Sequence, residues 1–385
     1  MTLALLGGPA AGQESQACGF GPAVHAAASS VVHVRSTFSM GEEPFGPDAG
    51  EVIFSNTGFF VGTGGEVLTS LVGLVGCRDI AVTASEGRTA PARLVALDQP
   101  SGLAVLKAEL TGTVPLELVE SPPAPGSWAL LASARPHDGT VVAIMRPVVV
   151  HERRAPVLLH GVEWHGLAAV PVYVPIGSAS APILDRSGRL AAVVLGLQSE
   201  AGAWGVESEC FALPADRLVP ILARLMAGVS RRQGWLGLAI LREPADREGV
   251  RVAGVLENSP AHEAGIRPGD VLLAIEGRPI EAPSTFTQRV AASEPGASMR
   301  LKVLRKEQIV AIQVEVGARP LLICDVSRGA HALRQHRAPE TAPSLSSTAA
   351  WQEGALQELL REHQRLTRRV EELERQLGEQ RPTNR

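Results

Sequence analysis

The chain has 385 residues, 45% of them hydrophobic and 20% charged, which is enough for two or three domains with sizeable cores. A formal net charge of −4 and a pI near 6.2 leave no chain-wide basic surface for neutralising phosphates, which argues against nucleic acid as the main partner. Four cysteines, Cys18, Cys77, Cys210 and Cys324, lie far apart with no C-x-x-C pair, so neither a zinc site nor a redox motif is expected, and no cofactor is implied.

Residues 1–30 hold a short apolar run and many small residues but no basic n-region, and read as a lead-in or a truncated signal segment. From Val31 to about Leu225, short β-type runs such as VVHVRS, EVLTSLV, LAVLKA and RLAAVVLGL recur between Gly, Asp, Pro and Ser turn signals. Strands at such spacing, without intervening helical periods, predict a sandwich or a pair of barrels over 31–230. PADRLVPILARLM then places Leu218, Ile221, Leu222 and Leu225 at helical intervals and closes this unit. A smaller β/α unit fills 231–319, with strands near RVAGVL, DVLLAIEG and MRLKVLR and a helix over 284–292. Residues 320–350, rich in Ala, Pro, Ser and Thr, predict a disordered linker. Over 351–380, Leu356, Leu359, His363, Leu366, Val370, Leu373 and Leu377 step alternately by 3 and 4, the a/d seam of a coiled coil suited to self-association. No run of 18 apolar residues occurs, so no membrane span is expected.

The block from TGFFVG through EVLTSLVG to LDQPSGLAVLK resembles HtrA-family serine proteases, whose corresponding stretch runs from G-S-G-F through T-N-x-H to D-I-A-V-L-K. GSASAPIL stands where that family has G-N-S-G-G-P-L, and FALPADRL and GWLGL follow in the same order, so the likeness covers about residues 31–319. It implies a mainly β architecture: a chymotrypsin-like double β-barrel followed by a β/α PDZ domain, with the coiled-coil helix beyond.

Carried over residue by residue, the family's histidine falls on Val72, its aspartate on Gly102 and its nucleophilic serine on Ala179, so the triad is degenerate. Acyl transfer needs a nucleophile deprotonated by an imidazole that a carboxylate orients. An isopropyl group, a hydrogen and a methyl group supply none of these. Ser70, Ser178 and Ser180 leave hydroxyls nearby, while His151, His160 and His165 read as surface or loop histidines rather than a relocated base. Gly177 and the Ala179 N–H fall on the family's oxyanion hole, and such backbone donors survive side-chain replacement. The cleft then either still binds an extended peptide or has packed shut around Leu71 and Val72.

NSPAHEAGIRPGDVLLAIEGRPI and GWLGL resemble the PDZ domains of the same family. PDZ recognition adds the ligand as a strand and captures its C-terminal carboxylate on exposed backbone N–H groups. Leu236, Gly237 and Leu238 would form the capturing loop, with Phe286 and Val290, four apart on the helix, lining an apolar pocket, unless these apolar residues serve only the core. Together these features imply a non-catalytic scaffold or adaptor that binds peptide or protein C-termini and forms homo-oligomers. The family's trimers are compatible with the tail, and its location implies the bacterial cell envelope or periplasm. The alternatives are an active serine endopeptidase with a rewired site and a regulatory subunit of active HtrA-type proteases.

Overall fold

Strands form here where apolar runs can bury both faces. In LAVLKA, Leu103 and Val105 point one way and Ala104 and Leu106 the other, and all four are buried. A strand covered on both sides reads as a continuous hydrophobic run instead of an alternation. The computed structural model describes residues 20–39, 51–119, 121, 123–137, 140–153, 155–171, 179–202, 205–241 and 249–321.

Strands β1 (Val31–Ser39), β2 (Glu51–Phe60), β3 (Glu66–Ser70), β4 (Asp79–Thr83), β5 (Thr89–Asp98) and β6 (Leu103–Ala108) close a barrel in the order β1-β2-β3-β6-β5-β4. Val32, Val34, Phe60, Val67, Ala104 and Leu106 fill its interior. Then follow β7 (Trp128–His137), β8 (Thr140–Val149), β9 (His151–Arg153), β10 (Val157–Leu159), β11 (Val162–Trp164), β12 (Leu167–Val170), β13 (Pro182–Leu184), β14 (Leu190–Gly202) and β15 (Gly205–Pro214). All but the β10–β11 hairpin join a seven-stranded sheet, β8-β7-β13-β14-β15-β12-β9. In place of a second barrel closed by hydrogen bonds throughout, this sheet has two edges, β8 and β9, that are consecutive across Val150, so one bent run supplies both. Between barrel and sheet lies a shared core in which Val31, Phe59, Leu68 and Leu103 meet Leu130, Leu184, Val193, Phe211 and Leu213.

Two helices seal that core. Helix α1 (Gly21–Ala28) arises inside the segment read as a lead-in, and it contributes the fully buried Ala23 and Ala27, four residues apart on one face. Helix α2 (Ala215–Met226) buries Leu218, Ile221 and Leu225, carries Asp216 in its first turn and Arg224 in its last, and so complements its own dipole.

The second domain holds β16 (Gly234–Trp235), β17 (Leu238–Ile240), β18 (Val250–Val255), helix α3 (Pro260–Glu263), β19 (Val271–Ile275), β20 (Arg278–Pro279), helix α4 (Pro283–Ala292), β21 (Ser298–Arg305), β22 (Gln308–Glu315) and β23 (Gly317–Ala318). Its main sheet runs β17-β18-β19-β21-β22, which leaves β17 as an edge strand, while β16 pairs with β23. Asp270 anchors the turn before β19, accepting from Arg267 N at 2.9 Å and from the Arg305 guanidinium at 2.7 and 2.8 Å. The segment between α2 and β16 is stitched to the first barrel: Arg231 N donates to Leu97 O at 2.8 Å and Gln99 N to Arg231 O at 2.9 Å. Among the described residues no helix is long and apolar enough to cross a membrane. Residues 351–380, where the sequence predicts a coiled coil, lie outside the described residues, as do nearly all of 320–350.

Candidate functional site

Positions 72, 102 and 179 come from three separate elements, and one hydrogen-bond network gathers them. Val72 sits in the turn after β3, half-buried; its carbonyl accepts from Asn56 Nδ2 at 2.8 Å and its N–H donates to Ser70 Oγ at 3.2 Å. Its neighbour Leu71 donates N–H to Gly102 O at 2.8 Å, which joins this turn to the one ending β5. Ala179, also half-buried, precedes Ser180, whose hydroxyl donates to Thr57 O at 2.7 Å. Thr69 Oγ1 donates to the same carbonyl at 2.9 Å. Asn56 and Thr57, adjacent on β2, therefore hold the Val72 turn from one side and the Ala179 turn from the other. Gly177 lies outside the described residues.

Gly102 has φ +69°, a left-handed conformation that glycine adopts without penalty. Asp98 builds the turn beneath it. Its carboxylate accepts from Ser101 N and Oγ at 3.1 and 2.7 Å and from Arg224 Nη2 at 2.9 Å, so α2 is clamped to this corner.

Three polar side chains near these turns could take part in chemistry. Ser180 is 1% exposed, and its hydroxyl is spent on main-chain carbonyls. His33, paired with Thr57 across β1 and β2, is buried with Nε2 unpartnered, and burial followed by the charge of Arg35 holds its imidazole below the ordinary value of 6.5. His160 is the third. It stands in a loop position, the tip of the β10–β11 hairpin, with Nε2 3.0 Å from Leu195 O. A carbonyl only accepts, so Nε2 carries the proton. The signal for the turn was present, since His-Gly between apolar runs suits a two-residue hairpin, and the φ values of +52° and +79° are those of a type I′ turn. What the tip touches has no local signature. His151 and His165 are exposed. Cys77 is half-buried, and burial pushes the Cys210 thiol up to about 12, so it is inert packing.

In the second domain Leu236, Phe286 and Val290 are brought together in one buried cluster with Leu238 packed against it. Gly237 has φ +77°, and its carbonyl accepts from Leu256 N at 2.9 Å. The loop thus opens onto the edge strand β17, while Phe286 and Val290 turn mainly toward the core. Among the described residues no group of three or more His, Cys, Asp or Glu could hold a metal.

Residues 56–193 match the model of the trypsin-like peptidase domain, and residues 229–316 that of the PDZ domain. A protein of Hahella chejuensis named "Probable periplasmic serine endoprotease DegP-like" is 27% identical over 277 residues, 69% of this chain and 57% of its own length. One of the same name from Pseudomonas fulva is 26% identical over 300 residues, 73% of this chain and 60% of its own. The chain thus spans about three fifths of these curated relatives. Among solved structures, the HtrA-type protease AlgW with a decapeptide superposes with a TM-score of 0.55 at 22% identity, covering 78% of this chain and 99% of AlgW. The serine endoprotease from Yersinia pestis gives 0.54 at 20% identity, covering 78% and 98%.

Proposed function

Because the chain joins a trypsin-like peptidase domain to a PDZ domain, the HtrA-type arrangement, we propose that it is a non-catalytic homologue of these proteases, a scaffold or adaptor that binds protein C-termini. The observation that carries this reading is that Asn56 and Thr57 bond the Val72 turn and Ser180 beside Ala179, while Leu71 N bonds Gly102 O, with no proton-transferring side chain at 72, 102 or 179. Hydrolysis of an acyl bond needs all three functions in one place, and loss of the whole set removes the covalent route. Two hydroxyls beside the turns support the same reading: Ser180 donates to Thr57 O, and Ser70 is 3% exposed and accepts from Val72 N. Neither is bonded to an imidazole in these contacts.

Binding is assigned to the PDZ domain. Edge strand β17, which follows the Gly237 turn, has the form that receives a ligand as an added strand. The names of the relatives favour a periplasmic location. Assembly through the 351–380 seam belongs to the same proposal; action as a regulatory subunit of competent HtrA-type proteases is an alternative to it. The test is incubation of the purified chain with unfolded casein and with a fluorophosphonate serine probe. Neither cleavage nor labelling is expected, and probe adduct on Ser178 or Ser180 would establish a rewired enzyme instead.

A further inference from the structure

Three glycines are crowded at the β10–β11 hairpin, Gly102 and Gly196 against it and Gly161 within its turn. A Cβ built on Gly102 would lie 2.6 Å from His160 Nε2 and 2.7 Å from Cε1. One on Gly196 would lie 2.9 Å from Leu159 Cδ2, and one on Gly161 would lie 2.7 Å from Arg319 Nη1. Real Cβ atoms essentially never approach so closely, so at each place something must shift; at Gly161 that is the flexible end of Arg319, whereas at Gly102 it is the His160 ring, held by its bond to Leu195 O.

The tip is held from two directions. On the peptidase side His160 Nε2 donates to Leu195 O, and Leu159 is buried in the shared core. On the PDZ side the His160 carbonyl accepts from Gln233 Nε2 at 2.9 Å and from Arg319 Nη1 at 3.1 Å, residues that flank the β16–β23 pair. Farther along, Glu163 accepts from Gln288 on α4.

We propose that this hairpin is a plug: the His160 imidazole stands in the volume that a side chain at position 102 would occupy. That this volume is the acid slot of a former triad rests on the functional reading above; the steric exclusion itself does not. The absence of a side chain at 102 is thus compensated by a ring from another strand pair, and the cleft there is filled, not vacant. An aspartate at 102 could be accommodated only if the imidazole withdrew.

The experiment is a stability cycle on the full chain, with Gly102→Ala, His160→Gly and the double variant followed by thermal and urea unfolding. His160→Gly suits the positive φ of the turn, so the hairpin itself is preserved. Gly102→Ala is expected to lower Tm by about 4–10 °C through backbone strain and collision together. In the His160→Gly background the same substitution should lower it by only about 2–4 °C, the strain alone. If Gly102→Ala fails to fold, recovery of a folded double variant supports the plug, and a double variant that stays unfolded while His160→Gly folds overturns it. Equal losses in the two backgrounds likewise overturn it. The functional reading is tested apart from this, by probe labelling of the unaltered chain.

Discussion

Gly237 and Gly265 offer a matched pair, with φ of +77° and +75°. Alanine at either must adopt a left-handed backbone, which costs about 1 kcal/mol. The surroundings differ. At Gly265 nothing lies within 4 Å of the added Cβ, whereas at Gly237 it would come within 3.0 Å of both Cβ and Oγ of Ser259, a fully buried residue whose hydroxyl accepts from His262 N. Ser259 begins α3 and cannot retreat without uncapping it, so overpacking adds about 1–3 kcal/mol. Gly265→Ala is therefore expected to cost about 1 kcal/mol and Gly237→Ala about 2–4 kcal/mol in urea unfolding of the full chain. Displacement of the Gly237 turn also moves the first residues of β17. Binding of a fluorescein-labelled peptide with a free apolar C-terminus, read by polarisation, should fall at least about tenfold in Gly237→Ala and hold in Gly265→Ala. Equal destabilisation by the two substitutions, or intact binding by Gly237→Ala, would refute the placing of the carboxylate loop.

Two further outcomes concern buried charge. The His33 imidazole titrates below 6.5 in the folded chain, so between its folded value and 6.5 the unfolded chain binds a proton that the native one refuses. Stability should fall as pH drops below about 6.5 and level off beneath the folded value, and His33→Leu should flatten that slope in urea unfolding compared between about pH 7.5 and pH 5. For Asp270, burial pushes the carboxyl up, but hydrogen bonds from Arg305 and the Arg267 N–H more than reverse this and leave it below the ordinary value of 3.8. Its contribution is present above 3.8 and lost as pH falls through the lower folded value. Asp270→Ala leaves Arg305, whose side chain is 24% exposed, without its carboxylate and should cost about 2–3 kcal/mol at neutral pH by urea unfolding.

The strands were legible because chemistry and period agree. LAVLKA and RLAAVVLGL are apolar on both faces, and both faces are covered. Helix α2 was equally plain from Leu218, Ile221 and Leu225. Helix α1 was not, since Gly-Pro-Ala-Val-His-Ala-Ala-Ala carries little amphipathic signal and is placed by what it packs against. The motif blocks named Val72, Gly102 and Ala179; the contacts that link their turns, through Asn56, Thr57 and Leu71 N, have no local signature in the sequence. The ring of His160 over Gly102 was out of reach for a physical reason. It depends on a contact 58 residues apart in the chain, between a turn and a hairpin tip that no periodicity links.

Two residues that compete for one volume also constrain the order of change. While the imidazole remains at 160, any mutation that adds a side chain at 102 meets immediate penalty, and while 102 stays bare, loss of the ring leaves a hollow beside Leu195. Neither step is neutral by itself. Positions 102 and 160 are thereby coupled, and a side chain can enter at one only together with a change at the other.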